Sequence, residues 1–430
     1  MSVTNSDRAD VVIVGGGPTG LFLANLLGKA GVNTILLERR AVQRVPSMAI
    51  GVMPPSLRMF EAIDLAAPVV KAGCEVRTAV VHDQRRQLGS LDLTVLPSPY
   101  AFVLSIPQGD LMHQLRGRLA QWPSVRVMEG AEAVSVCQTA DTVRLQVVRA
   151  SRLPLEEAGQ RPAPQGVEIT AQFVVACDGN HSRMRDLLGL ARVGRRYGVA
   201  FIMGDFPDTT TWSHEAHLFF TPQGSVESFP LPNGRRRWIA LANSEKRDTQ
   251  TLVQRVQEIA AVSLDPAAEL WHSSFIPERQ LAQHYSSGRV VLCGDAAHVM
   301  SPIGGQGMNT GFGDVWQLAT LLPQLLQTRE PHEPCFARYD AERRHAFTIA
   351  ADRAERGMWL GTRMGKWSSA IRSFVIGRVL LRPPLVRRLP RYFAMLTIPG
   401  NDQLMPESEN SRATGWRSHS SDEHAARRWG

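Results

Sequence analysis

The sequence predicts a mixed α/β fold, α/β with α+β character: a Rossmann-like dinucleotide-binding domain interleaved with a β-sheet domain, followed by C-terminal helices. Three observations predict it. Residues 11–20 read Val-Val-Ile-Val-Gly-Gly-Gly-Pro-Thr-Gly, an apolar run that stops at glycines and opens an apolar-periodic stretch, Leu21–Ala30. Residues 290–314 repeat the plan, with the strand-like run Val290–Cys293, a loop carrying Pro302, Gly304, Gly305 and Gly307, and a helical run from about Met308 to Leu326. Between them, residues 193–280 are rich in short β-branched and aromatic runs separated by turn residues.

The first unit covers residues 8–38. Gly15, Gly17 and Gly20 stand in the dinucleotide spacing, and Pro18 and Thr19 open the helix. Glu38 ends the next strand, Thr34–Leu37, and follows Gly15 by 23 residues. An acid about 20 residues on is the usual partner of a ribose hydroxyl. Pro54-Pro55-Ser56 is expected to introduce a helix over Leu57–Ile63, with Ser56 as its N-cap. Residues 74–107 read as three strands that begin a second sheet, and Gln108 precedes the helix Asp110–Trp122.

Residues 125–150 and 167–176 read as strands, joined across a Pro/Gly/Glu/Gln-rich surface loop, Ser151–Gly166. Val174-Val175-Ala176 leads into Cys177-Asp178-Gly179-Asn180-His181-Ser182-Arg183-Met184-Arg185. Arg185 is read two ways, as a steering charge for a donor's phosphates or as the partner of surface acids. In the β-rich stretch, Pro222-Gln223-Gly224 and Pro232-Asn233-Gly234 mark turns. Asn-Gly between two such runs is a strong hairpin signal. Asp295 lies at a strand tip, where a carboxylate can accept hydrogen bonds from a polyol. The helix start after Gly304-Gly305-Gln306-Gly307 offers N–H groups and a positive dipole end to an anion. Taken alone, 290–326 also fits an ordinary strand–loop–helix crossover. Cys177 and Cys293, each next to a motif acid, are expected to be packing residues.

Glycine fingerprint, Asp178-Gly179 and Gly294-Asp295, in that order, resemble the flavin-dependent aromatic hydroxylase family, the class A FAD monooxygenases with the para-hydroxybenzoate hydroxylase-like fold. The resemblance spans about residues 8–400. It implies an FAD-binding domain over residues 8–74, 108–190 and 282–352 and a substrate domain over 75–107 and 191–281. Residues 353–400 read as a helical segment, and the polar tail at 401–430 is expected to be disordered. The resemblance implies FAD contacts from Gly15, Gly17, Pro18, Thr19, Gly20, Glu38 and Arg39, from Gln108 and Asp178, and from Asp295, Gly305, Gly307, Met308 and Asn309. It implies a substrate pocket with Pro302, Phe219 and Phe229, its wall drawn from Phe201, Met203, Phe219, Phe220, Phe229 and Trp238. No catalytic proton-transfer residue is assigned; His298 fits a structural partner of its loop as well as a base.

The activity implied is hydroxylation of an aromatic or polyketide-like small molecule with NADH or NADPH as transient donor and O2 as oxidant, through a C4a-hydroperoxyflavin. An alternative is a quinone-biosynthesis-like hydroxylase or epoxidase of a lipidic substrate, and a non-enzyme alternative is a flavin-less scaffold or carrier. The sequence has no Trp-x-Trp-x-Ile-Pro motif, which argues against a halogenase. It departs from the family at Met48-Ala49, where an arginine before the alanine is common; Arg39, Arg40 and Arg44 lie upstream and could supply charge from another direction.

Composition bounds the rest. With 430 residues, 43% of them hydrophobic, the chain can bury a large core. Five cysteines without Cys-x-x-Cys or metal spacing predict a reducing cytoplasmic setting and no metal; His419 and His424 are too isolated for one. The net charge of +8 is local: ten lysines and arginines from Arg353 to Arg391 face one acid, Glu355. With no nucleic-acid motif, that block reads as packing on the nucleotide domain with snorkelling arginines, as a weak membrane-surface contact through 353–393, or as a partner surface. On a helical wheel Arg372, Arg378 and Arg382 do not oppose Ile371 and Phe374, which weakens an interfacial helix. A monomer or dimer is expected.

Overall fold

The computed structural model describes residues 6–41, 49–149, 166–242, 247–362 and 364–401. The expectations for Arg44, Met48, the loop over 151–165 and the tail beyond Asn401 lie outside them. Ten α-helices occur among the described residues: α1 Pro18–Lys29, α2 Pro54–Glu61, α3 Ala66–Ala72, α4 Gln108–Arg118, α5 Arg183–Leu187, α6 Thr249–Ala260, α7 Gln306–Thr328, α8 His332–Thr362, α9 Lys366–Val375 and α10 Leu389–Phe393.

The first sheet runs in the order Ser286–Ser287, Val290–Leu292, Gly166–Ala176, Ser6–Val14, Thr34–Glu38 and Val125–Glu129. Its four central strands are parallel, which explains their continuous apolar sequence: both faces are covered. Helix α1 is apolar around most of its circumference because it is enclosed, with the run Gly20–Gly28 buried against α4 and α7.

The second sheet has seven strands, ordered Trp271–Phe275, Ala200–Pro207, Arg235–Ala242, Gly224–Leu231, Ala216–Thr221, Thr78–His82 and Gln87–Asp92. Its pairings are antiparallel apart from Ala216–Thr221 with Thr78–His82. The Asn233-Gly234 turn forms, with φ of 63° and 64°, as a two-residue hairpin of this twist requires. Ile202, Phe219, Val226, Trp238 and Ala240 pack beneath α6 on one face. Phe201 and Leu241 cluster with Ile303 and Met358 on the other, which faces α8 and the 301–305 loop.

Several expectations are corrected. The 74–107 stretch divides: Thr78–His82 and Gln87–Asp92 join the large sheet, whereas Cys74–Val76 and Val103–Ser105 pair with Gly51–Val52 in a separate three-stranded sheet. Helix α2 begins at Pro54 with Met53 as N-cap, so Ser56 lies inside the first turn. Proline suits that first turn because it has no N–H to lose there. The basic segment does not begin a new element at residue 353, because α8 runs through it. Its arginines do not chiefly pack on the nucleotide domain either. Arg372 is buried and donates to Leu360 O (2.9 Å) and Thr221 O (2.8 Å), anchoring α9 to α8 and to the end of an interior strand of the β-rich sheet. Arg353 binds the carbonyls of Tyr392 and Thr397.

Candidate functional site

The three motif loops leave neighbouring strands at one level. Gly15 N donates to Leu37 O (2.8 Å), Cys177 N to Val14 O (2.7 Å) and Cys293 N to Ala176 O (2.9 Å). Glu38, Gly15, the Cys177-Asp178 step and the Cys293–Asp295 turn therefore stand side by side at the carboxyl edge of the sheet. Strand spacing is about 4.8 Å, so four strands make a continuous edge about 15 Å long. This is the crevice where open parallel sheets bind nucleotides.

Close approach dictates the glycines. Gly15 has φ +108°, and a Cβ there would come within 2.4 Å of Cys177 O; a Cβ on Gly20 would come within 1.9 Å of Gly15 O. Gly17 meets nothing within 4 Å, so its backbone borders open space. Thr19 wedges its methyl between Gly294 and Gly311, joining the first motif to the third. Glu38 Oε2 accepts from Gly16 N (2.8 Å) and Oε1 from Arg40 N (2.8 Å), which holds the acid against the glycine loop. Arg39 is exposed at the strand end. Gln108 is the first residue of α4 and half-buried.

Asp178 Oδ2 accepts from Met184 N (3.0 Å), while its buried Oδ1 has no partner among the described residues. Burial raises the carboxyl above its usual range, opposed by the N–H groups and the Ser182 hydroxyl around it. Asp295 is exposed yet walled by protein, as on the floor of a cleft. That enclosure raises its carboxyl, with His298 opposing; water in the cleft softens the effect. Burial pushes the Cys293 thiol well up, so it stays a neutral packing group.

Helix α7 starts after Gly304 (φ +81°) and Gly305 (φ +67°), and no side chain caps it. The first-turn N–H groups of Gln306, Gly307 and Met308 have no intrahelical acceptor by geometry and point at the same crevice. Gln306 Oε1 is buried and unpartnered. Pro302 is exposed beside this helix start, but its carbonyl accepts from Gly305 N (3.0 Å) and is used inside the loop. Asn309 is a clamp: its amide donates to Gly51 O (2.9 Å) and Gly305 O (2.7 Å), and its oxygen accepts from Met53 N (2.9 Å) and Ser56 Oγ (2.7 Å). The side chain is fully used in joining the 49–56 segment to α7.

Two further expectations change. Arg185 is not an exposed steering charge, and its pairing with surface acids is limited to Asp186, 3.5 Å from Nη2. It is buried and its guanidinium donates to Asn180 O and Ala296 O (both 3.2 Å), tying the second motif to the third. Phe219 is not at the crevice side of the large sheet: it lies under α6 and stacks on His82. Trp238 shares that face, whereas Phe229 alternates to the other.

Sequence reasoning missed the support beneath the third loop. Asp314 is fully buried; its Oδ2 meets His298 Nε2 (2.7 Å) and Gly294 N (3.0 Å), and its Oδ1 meets Arg343 Nε (2.7 Å). Burial would raise this carboxyl, but His298 and Arg343 outweigh it and hold it below the usual range. His298 is thus a structural partner. The only signal in the sequence was a charged residue on the apolar face of a helix, at Asp314 and again at Arg343.

Cofactor chemistry fits this edge: two buried oxygens without partners, glycines whose backbone borders open space, and an uncapped helix start. The sequence matches the family described as FAD binding domain over residues 8–354. The chain belongs to this FAD-binding family. It is 29% identical over 372 residues to a 3-(3-hydroxy-phenyl)propionate/3-hydroxycinnamic acid hydroxylase of Burkholderia cenocepacia (strain HI2424), covering 83% of this chain and 64% of that one. It is 30% identical over 347 residues to the 6-methylpretetramide 4-monooxygenase of Streptomyces rimosus, covering 79% and 59%. The chain thus spans less than two thirds of the length of these relatives. Among solved structures, the p-nitrophenol 4-monooxygenase from Pseudomonas putida DLL-E4 shares the fold with TM-score 0.76, 21% identity, and coverage of 92% of this chain and 99% of that one. The anhydrotetracycline hydroxylase from Streptomyces rimosus aligns with TM-score 0.73 at 25% identity, covering 91% and 76%.

Proposed function

We propose that this chain is an FAD-dependent monooxygenase that consumes NADH or NADPH and O2 to hydroxylate an aromatic or polyketide-like small molecule. The observation that carries the reading is the placement of the large sheet's inner face. Ile303, within the 301–305 loop that leads into α7, packs against Phe201 and Leu241 of that sheet. A ligand at the uncapped start of α7 therefore has an apolar wall above it.

Bound FAD supplies the redox chemistry; the protein supplies position, field and dryness. The backbone of Gly15–Gly20 and Glu38 would hold the adenosine diphosphate half, Asp178 would face its pyrophosphate region, and Asp295 would accept from the ribityl hydroxyls. The α7 N–H groups would stabilise negative charge at the edge of the ring system they face. The inner face of the sheet would exclude water from the reacting atoms. The hydroxylase relatives named above support the substrate class.

The test is direct. Purified protein should be yellow and should oxidise NADH or NADPH with O2 uptake, faster when phenolic or polyketide aromatics are added. Colourless protein that takes up no FAD would establish the scaffold reading instead. The lipidic-substrate alternative has one observation in its favour, the exposed stripe of Trp367, Ile371 and Phe374 on α9 beside a basic stretch. Cosedimentation with anionic vesicles, lost in Trp367→Ser, would support it; no helix among the described residues is long and apolar enough to cross a membrane.

A further inference from the structure

The inner face of the large sheet carries a small patch that is neither buried nor solvent-exposed. Leu218, Glu227 and Ile239 are direct cross-strand partners on three adjacent strands, and all three are partly accessible. Phe220 and Phe229 flank them in the same state. Alternation settles which way they face. Val226 packs under α6 and the Ser228 hydroxyl accepts from buried Arg236 at 3.2 Å, so Glu227 and Phe229 project to the opposite side. Ile239 packs there with Ile303, in the loop that leads into α7. A Cβ on Gly361 of α8 would come within 3.2 Å of Ser225 Oγ, which closes the patch from that side.

Glu227 is thus one carboxyl group at the centre of an apolar wall. No hydrogen bond or ion pair to it occurs among the described residues. Arg237, on the same face opposite Phe229, grips Asp205 through Nε (2.6 Å) and Nη2 (2.8 Å). Enclosure alone pushes the Glu227 carboxyl up to about 7. A polar group enclosed without a partner is costly to a fold, so such groups are normally satisfied. Partly accessible, this carboxyl borders space from which a ligand's hydrogen-bond donor can reach it.

We propose that Glu227 selects the substrate: its carboxylate accepts a hydrogen bond from a hydroxyl or N–H on an otherwise apolar aromatic, and it disfavours aromatics that carry a carboxylate. This rests on the reading above that the space between the sheet and the α7 loop holds the substrate. The chemistry is a difference of affinities. A donor regains the solvation the carboxylate lost, a plain hydrocarbon leaves it unpaired, and a second negative charge adds repulsion.

A matched trio of probes tests it on the FAD-loaded protein at about pH 8.5, where the Glu227 carboxyl is mostly ionised and 1-naphthol is mostly neutral: 1-naphthol, naphthalene and 1-naphthoate. Binding is read by equilibrium dialysis and by perturbation of the flavin spectrum, independent of turnover. The wild type should bind 1-naphthol about tenfold or more tighter than naphthalene, and 1-naphthoate weakest. Glu227→Leu should erase the naphthol preference and bind naphthalene at least as well as before. Glu227→Gln keeps an acceptor without the charge, so it should retain a reduced naphthol preference and admit 1-naphthoate; it also serves if the leucine variant misfolds. Unchanged ranking in both variants, with normal flavin spectra, would overturn the role of Glu227 alone. Absence of binding of all three probes to the wild type would overturn the chamber reading and this proposal with it.

Discussion

Arg343→Met should be among the most damaging single substitutions outside the loops that touch the cofactor. Arg343 lies on α8 with 7% of its side chain accessible, and Asp314 on α7 has 0%. Methionine keeps the volume and removes two bonds, Nε to Asp314 Oδ1 (2.7 Å) and Nη2 to Thr310 O (3.1 Å). Asp314 would keep His298 and Gly294 N but lose the Arg343 guanidinium in a fully buried site. Removing one partner of a buried pair costs about 3–5 kcal/mol, because the remaining charge is uncompensated. The effect should reach the cofactor, since the same carboxylate holds Gly294 N and so the turn that aims Asp295.

The pH dependence has a definite sign. Asp314 has a folded value below its unfolded one, so its contribution is present above the unfolded value, near 4, and is lost as pH falls through the folded value. Without Arg343 the folded value rises, and the loss should begin at higher pH. Urea unfolding of wild type and variant at pH 7 and pH 5, with FAD fluorescence reporting release, measures both effects. A loss below about 1 kcal/mol at pH 7 with unchanged FAD retention would refute the reasoning. Pairing Arg343→Met with Asp314→Leu should recover part of the stability, because an apolar pair leaves no stranded charge.

Other perturbations have clear outcomes. Gly20→Ala places a Cβ 1.9 Å from Gly15 O, a backbone atom that cannot swing away, so FAD affinity should fall about tenfold or more in a titration of apoprotein. Asn309→Ala removes four hydrogen bonds, three between α7 and the 49–56 segment and one to the α7 N-cap Gly305, and should cost about 2–3 kcal/mol in urea unfolding, with weaker FAD binding. Arg372→Ala should release α9 from α8 and the large sheet at a cost of about 1–3 kcal/mol and open new sites to limited proteolysis. Trp367→Ser, at an 87% exposed position, should shift stability by no more than about 0.5 kcal/mol.

By itself the sequence determined the local grammar. An apolar run that stops at glycines, followed by a helical period, can form little besides a strand, a tight turn and a helix. The spacing from Gly15 to Glu38 and the Asn233-Gly234 hairpin follow from backbone sterics, which act over a few residues. What only the tertiary structure decided were questions of face and partner. Phe219 and Phe229 are both aromatic residues in alternating strands, and only the position of α6 puts one under a helix and the other on the opposite face. Arg185 read equally well as a steering charge or as the partner of surface acids, and only packing showed its buried guanidinium shared between two carbonyls and Asp186. Asp314 and Arg343, 29 residues apart, gave no local sign of pairing. A side chain's role depends on what packs against it, and burial and charge pairing join residues whose separation along the chain carries no periodic trace.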